Sequence, residues 1–142
     1  WATGPFPRKI ATMGDGRMEK ASIFLRGIRG AVTVERNTAE EIVAATRELL
    51  EAIVGENNLQ PEDVAGVFFT VTPDLNAEFP AVAARKMPGW KYVPLMCAQE
   101  INVPGSLPRC IRVLVFAHTA RSQREIKHVY LREAARLRED LI

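Results

Sequence analysis

The strongest constraint on the fold is one helix with clear start and stop signals, set between two segments of strand character. Thr38 and Glu41 have the spacing of a capping box, in which a hydroxyl and a carboxylate satisfy free N–H groups at a helix start. Apolar residues then recur at helical spacing: Ile42, Ala45, Leu49 and Ile53. Gly55 and the pair Asn57-Asn58 are typical of a helix end. The pattern predicts an amphipathic helix that packs one face against neighbouring strands.

Several other segments have strand or helix character. Strands are predicted at Phe24–Val34, Gly66–Thr72, Tyr92–Cys97 and Ile111–Thr119. Helical structure is predicted in a turn at Pro61, over Pro80–Met87 and, by composition, over Ser122–Arg138, with a loop at Asn102–Pro108. The order β-α-β-α-β-β-α predicts an α+β domain, with an α/β-type mixed sheet and helices.

The length of 142 residues predicts one domain, which at this size buries roughly 70% of its unfolded surface. Residues 1–22 lack both the strand and the helix period, so we expect a flexible N-terminal extension followed by a domain over residues 23–142. The longest mostly apolar run, Val64–Val71, is far short of the ~20 residues that cross a bilayer. The first twenty residues do not read as a secretory signal. We therefore expect neither membrane association nor export.

The charge distribution argues against a nucleic-acid partner. The net charge is +2, from 19 basic and 17 acidic residues, and residues 1–22 carry all of this excess. The remaining chain has no basic surplus with which to neutralise phosphates. However, 14 of the 19 basic residues are Arg, whose planar fork suits carboxylates. This bias favours a small anionic ligand.

The cysteines and histidines indicate neither a disulfide framework nor a metal site. Cys97 and Cys110 are the only two cysteines, which favours a reduced chain in the cytoplasm. His118 and His128 do not form a compact ligand spacing with either cysteine, so we expect surface or structural roles for them.

Familiar catalytic signatures are absent from the sequence: there is no phosphate loop, nucleophile elbow, dinucleotide fingerprint or zinc-binding helix motif. Arg29 and Arg112 stand in apolar strand contexts, where a guanidinium needs an anion unless it reaches water. Glu100 follows a predicted strand, and Tyr130 lies near the C-terminus; each has an ordinary structural interpretation as well. These residues by themselves predict only an Arg-rich site for a small anion.

Six segments in order resemble the trimeric, single-domain chorismate mutases of α/β type. They are Leu25–Ala31 (LRGIRGA), Thr33–Arg36 (TVER), Thr72–Leu75 (TPDL), Phe79–Ala81 (FPA), Cys110–Val113 (CIRV) and His128–Leu131 (HVYL). The resemblance covers about residues 23–142. It implies a homotrimer with a pseudo-α/β-barrel core and active sites at the subunit interfaces. It also implies a short helix followed by a strand within residues 122–137, in conflict with the single helix predicted from composition.

The resemblance implies a Claisen rearrangement of chorismate to prephenate, which needs no nucleophile, metal or cofactor. Arg112 would reach the ether oxygen and a carboxylate, and Arg29 with Tyr130 would hold the enolpyruvyl carboxylate. Glu100 would accept a hydrogen bond from the ring hydroxyl. The remaining implied site residues are Cys97 near the same hydroxyl, Phe79, Ala81 and Leu137 as apolar walls, and Arg85 and Arg138 as positive lining.

Two other functions remain open at this point. Small trimeric enamine/imine deaminases have a similar architecture and also place an interfacial Arg on a carboxylate, but they need a positioned water. A trimeric binding module that senses a dicarboxylate metabolite would bind chorismate or prephenate without interconverting them. Two Arg residues with Glu100 fit a dicarboxylate clamp better than hydrolysis.

Overall fold

The computed structural model describes residues 9–14 and 17–141, with side chains over residues 22–137. The strands are β1 (Lys9–Gly14), β2 (Arg17–Ser22), β3 (Phe24–Thr33), β4 (Val64–Val71), β5 (Leu95–Gln99), β6 (Cys110–Thr119) and β7 (Val129–Leu131). The α-helices are α1 (Ala39–Asn57) and α2 (Ala81–Arg85), and short 3-10 helices cover Pro61–Asp63, Gln123–Glu125 and Arg132–Leu141.

Five strands form one mixed sheet in the order β5-β4-β6-β3-β7. The central strand β6 is antiparallel to both β3 and β4, whereas the outer strands β5 and β7 run parallel to β4 and β3. This sheet, with few helices, confirms the predicted α+β class and its α/β-type mixed sheet. Strands β1 and β2 form a separate antiparallel pair.

Helix α1 starts and ends where its sequence signals predict. The Thr38 side chain accepts the N–H of Glu41, as in a capping box. The Glu41 carboxylate differs from that motif, because it accepts the N–H of Arg36 instead of the cap residue's own. Asn58 adopts a left-handed conformation (φ 52°) and closes the C-terminus, so Gly55 lies inside the last turn.

The hydrophobic core lies between α1 and one face of the sheet. The buried face of α1 carries seven residues: Ile42, Ala45, Thr46, Leu49, Leu50, Ile53 and Asn57. Each large aliphatic side chain among them contributes about 1.5–3 kcal/mol by leaving water. At Gly30 in β3, a Cβ would lie only 2.8 Å from Ile53 Cδ1 and 3.0 Å from Leu49 Cδ1. The close approach of α1 therefore depends on glycine at this position.

The predicted strand at Tyr92–Cys97 is displaced along the chain. The observed β5 spans Leu95–Gln99, and Tyr92 lies in the exposed turn before it. Backbone pairing with β4 decides these limits, because the partner strand supplies hydrogen bonds as far as the Glu100 N–H, which donates to Val71 O at 2.8 Å. Local composition carries no information about that partner.

The single helix predicted over Ser122–Arg138 is wrong, and the break implied by the family resemblance is correct. The segment forms a 3-10 turn, the strand β7 and a second 3-10 helix. Parallel pairing of Val129–Leu131 with β3 gives these residues a ladder that composition could not reveal. Arg132, at φ 56°, has a left-handed backbone that separates the strand from the final 3-10 helix.

The flexible N-terminal extension over residues 1–22 remains a prediction. Within that segment the structure pairs β1 with β2. Among the described residues no helix is both long enough and apolar enough to cross a membrane.

Candidate active site

A cleft of about 250 Å³ lies on the sheet face opposite α1. Its lining brings together three of the residues singled out from sequence, Arg29, Arg112 and Glu100. The other lining residues are Phe68, Thr70, Val113 and Leu114. The register explains this meeting, because Arg29 is paired with Leu114 and Thr70 with Arg112 across neighbouring strands.

Arg112 and Glu100 form an ion pair at the centre of the cleft. Arg112 Nη1 donates to Glu100 Oε2 at 3.0 Å, and the two side chains are 38% and 24% exposed. A guanidinium has five N–H donors, and the Glu100 bond uses one nitrogen of the fork. The pair is therefore ordered while a ligand can still reach Arg112.

Two further donors orient the Glu100 carboxylate. The Thr70 hydroxyl donates to Oε2 at 2.9 Å, and the Ile101 N–H donates to Oε1 at 3.3 Å. Burial raises the pKa of Glu100, but the Thr70 hydrogen bond and the Arg112 charge outweigh it and hold the pKa below its ordinary value. Glu100 is thus an ionised hydrogen-bond acceptor at neutral pH.

Arg29 enters the cleft from β3, where a histidine fixes its backbone. His128 Nδ1 accepts the N–H of Arg29 at 2.9 Å, linking β3 to the segment that leads into β7. This contact gives His128 the structural role expected for it.

Tyr130 lies on the same face but outside the cleft lining. Ala31 is the cross-strand neighbour of both Arg112 and Tyr130, so one small residue lies between them in the register of the sheet. Tyr130 packs in a small cluster with Ala31, Cys110, Ala134 and Leu137. Its hydroxyl is buried and has no hydrogen-bond partner among the described residues, which is unusual for a buried tyrosine.

Four other predicted site residues lie at the opposite face of β5, around α2: Phe79, Ala81, Arg85 and Cys97. Phe79 and Cys97 line a second cavity of about 410 Å³, and Phe79 is 64% exposed. Ala81, the buried first residue of α2, offers its N–H to the Cys97 sulfur, and Arg85 at the end of α2 lies near enough to act on that thiol electrostatically. Within one chain, this second group does not meet Arg29, Arg112 and Glu100.

Both thiols are protonated at neutral pH. Burial raises the pKa of Cys97 despite the Ala81 hydrogen bond and the Arg85 charge. Burial also raises the pKa of Cys110 to about 11. Neither group has the lowered pKa of a nucleophilic cysteine.

Arg138 belongs to the last 3-10 helix, and its side chain lies outside the part of the chain that the structure describes. Thr70 could not be found from the sequence, because a threonine among other β-branched residues is ordinary in a strand and gives no sign of a functional role.

The mixed sheet and its cleft define an α/β protein in which two guanidinium groups lie beside one carboxylate, an arrangement with the charges to hold a small anion. Comparisons with known proteins agree. Residues 25–141 match the family model described as chorismate mutase type I. The chain belongs to this family and is therefore a chorismate mutase, an isomerase.

Individual relatives give the same result. The chain is 51% identical over 119 residues to the chorismate mutase AroH of Bacillus subtilis (strain 168). These aligned residues cover 84% of this chain and 94% of the relative. It is 56% identical to the AroH of Thermus thermophilus, over 83% and 97% of the two chains. A chorismate mutase structure from Clostridium thermocellum superimposes with a TM-score of 0.75 at 52% identity, covering 77% of this chain and 96% of that one.

Proposed function

We propose that this chain converts chorismate to prephenate by a Claisen rearrangement, on the route to phenylalanine and tyrosine. The observation that carries the proposal is the ordered Arg112–Glu100 pair sharing a cleft with Arg29, in a chain of the chorismate mutase type I family. The substrate is a dicarboxylate, and this cleft offers two guanidinium groups and one hydrogen-bond acceptor.

The reaction moves electrons within one molecule, so the protein's task is to hold a shape and stabilise charge. Chorismate must adopt a compact diaxial conformer, and binding energy from its two carboxylates can offset that cost. As the C–O bond breaks, negative charge develops on the enolpyruvyl side, including the ether oxygen. A fixed cation at that oxygen lowers the barrier, because its interaction strengthens in the transition state.

In this proposal Arg112 donates to the ether oxygen and a carboxylate. Arg29 holds the enolpyruvyl carboxylate, and Tyr130, whose buried hydroxyl has a hydrogen bond to give, assists it. Glu100 accepts a hydrogen bond from the ring hydroxyl and faces the positive charge that develops on the ring. Supporting contacts come from Cys97 at the ring hydroxyl, from the apolar walls Phe79, Ala81 and Leu137, and from the positive lining of Arg85 and Arg138.

We further propose a homotrimer with a pseudo-α/β-barrel core, in which neighbouring subunits complete each site. The sheet face opposite α1 exposes large apolar side chains: Leu25, Phe68, Met96 and Phe116. Such a surface is typical of a buried interface. The separation of Phe79 and Cys97 from Arg112 within one chain also fits a site built from two subunits. Sedimentation or light scattering should give three times the mass of one chain.

A cytoplasmic location is part of the same proposal. Cys97 and Cys110 are both unpaired in the structure, and they would stay reduced in that compartment.

The direct test follows the loss of chorismate's diene absorbance with purified protein and identifies the product. Rapid, saturable conversion to prephenate is expected. Binding of chorismate without conversion, by the intact trimer, would instead indicate a sensor. If the protein neither binds nor converts chorismate, the proposal is contradicted, and imine substrates become the next to test.

We expect the rate to be nearly independent of pH between about 6 and 8, since no proton is transferred in the reaction. The pKa of Glu100 is lowered, so its carboxylate is charged over this whole pH range. Cys110, with a pKa of about 11, stays neutral over the same range. The measurement is kcat and kcat/KM across that range. A bell with limbs inside it would indicate acid–base catalysis and favour the deaminase function.

A further inference from the structure

We propose that Thr70 is a positioning residue for the reaction, one that holds the Glu100 carboxylate in a fixed orientation beside Arg112. Thr70 lies on β4, between β6, which carries Arg112, and β5, which leads into Glu100. It lines the same cleft as both charged groups. The inference rests on the proposed function and adds a residue to it.

The hydrogen bonds around Glu100 explain why a second anchor is needed. Oε2 accepts from both Thr70 and Arg112, whereas the backbone bond to Oε1 is longer, at 3.3 Å. A ligand that engages the Arg112 guanidinium competes with Glu100 for it. Thr70 belongs to the protein framework and keeps its bond when Arg112 turns to the ligand. Glu100 then stays in place to accept a substrate hydroxyl.

Thr70 also affects the charge of Glu100. Donation from a hydroxyl stabilises the ionised carboxylate, so its removal raises the Glu100 pKa. The other charged or titratable groups facing Glu100 are Arg112 on β6, Arg29 on β3 and Cys110 at the start of β6. Cys110, with a pKa of about 11, stays neutral near pH 7, and guanidinium groups do not titrate in the range of carboxyl groups. A new acid limb would therefore report on Glu100.

The test compares Thr70→Val, which keeps the β-branched shape and removes the hydroxyl, with Thr70→Ser, which keeps the hydroxyl. The matched control is Thr119→Val, since the Thr119 hydroxyl lies at the far end of β6 and accepts the N–H of Arg121. The readouts are kcat and KM for chorismate against pH, and the titration of the Glu100 carboxyl carbon by NMR in the free protein.

For Thr70→Val we expect kcat to fall about tenfold at pH 7.5, the factor that corresponds to one hydrogen bond to a charged group. KM should change less, because Arg29 and Arg112 remain to hold the carboxylates. The acid limb of kcat/KM and the Glu100 titration should both move to higher pH, because the hydroxyl that stabilises the ionised carboxylate is gone. Titration of the substrate's own carboxyls is common to all variants and cancels. Thr70→Ser should restore both readouts, and Thr119→Val should match the wild type.

Three outcomes would overturn the inference. The first is a Thr70→Val variant with wild-type kcat and an unmoved Glu100 titration. The second is a loss of rate that is equal at every pH and is not restored by serine, which would indicate a structural role. The third applies if the wild-type protein does not convert chorismate, in which case the proposed function fails. The NMR titration alone then decides whether Thr70 orients Glu100, and an unmoved titration in Thr70→Val refutes the inference.

Discussion

Replacing Arg112 with alanine is expected to lower kcat/KM for chorismate by about 10²–10³-fold, the loss typical of removing one donor aimed at developing negative charge. Arg112 stands opposite Thr70 and Ala31 on the sheet face that bears the cleft, and 38% of its side chain is exposed. It faces the ligand side and not the core, so the fold and the oligomeric state should persist. Steady-state kinetics with a mass measurement checks both statements.

Two variants serve as controls for this loss. Arg112→Lys keeps the charge but not the planar fork, and we expect its activity to lie between those of the wild type and the alanine variant. Arg36→Ala removes an arginine whose side chain is 81% exposed on the loop before α1, and it should leave the rate unchanged. If Arg112→Ala retains more than a tenth of the wild-type rate, its assignment to the ether oxygen is wrong.

The largest effect on stability is expected from Asn57→Leu, at about 3 kcal/mol lost from the free energy of unfolding. Asn57 is fully buried at the end of α1, and its side chain connects the helix to the segment before β7. The amide Oδ1 accepts from Lys127 N and Arg121 Nη1, and Nδ2 donates to Ile53 O and Lys127 O. Leucine fills similar space but removes the partner of the Lys127 N–H and C=O, whereas Arg121 Nη1 keeps its bond to Glu56 O.

Denaturant unfolding at a fixed protein concentration measures this loss, because assembly would otherwise shift the midpoint. Asn102→Leu, in the exposed loop before β6, makes the same chemical change and should stay within about 0.5 kcal/mol of the wild type. Equal stability of the two variants would show that the Asn57 network contributes little. The strand that carries Tyr130 follows this network, so Asn57→Leu should also reduce the rate.

The candidate site was predictable from sequence in its residue types more than in its geometry. Buried-strand arginines and an Arg-rich composition indicated a small anion, and the resemblance implied roles for Arg29, Arg112 and Glu100. Those roles stay proposals until the variants are measured. Thr70 and His128 could not be found in this way, because their importance comes from single contacts to Glu100 and Arg29 that only the sheet register creates.

Elements whose signals are local could be predicted from the sequence. Helix α1 begins after Thr38 and ends at Asn57, because a cap hydroxyl, a 3.6-residue period and a left-handed asparagine all act within a few residues of one another. Three other features follow only from the folded sheet: the limits of β5, the strand β7 inside a segment of helical composition, and the contact of Glu100 with Arg112. These features depend on hydrogen bonds between residues far apart in the chain, and no local pattern specifies which strand will be the partner.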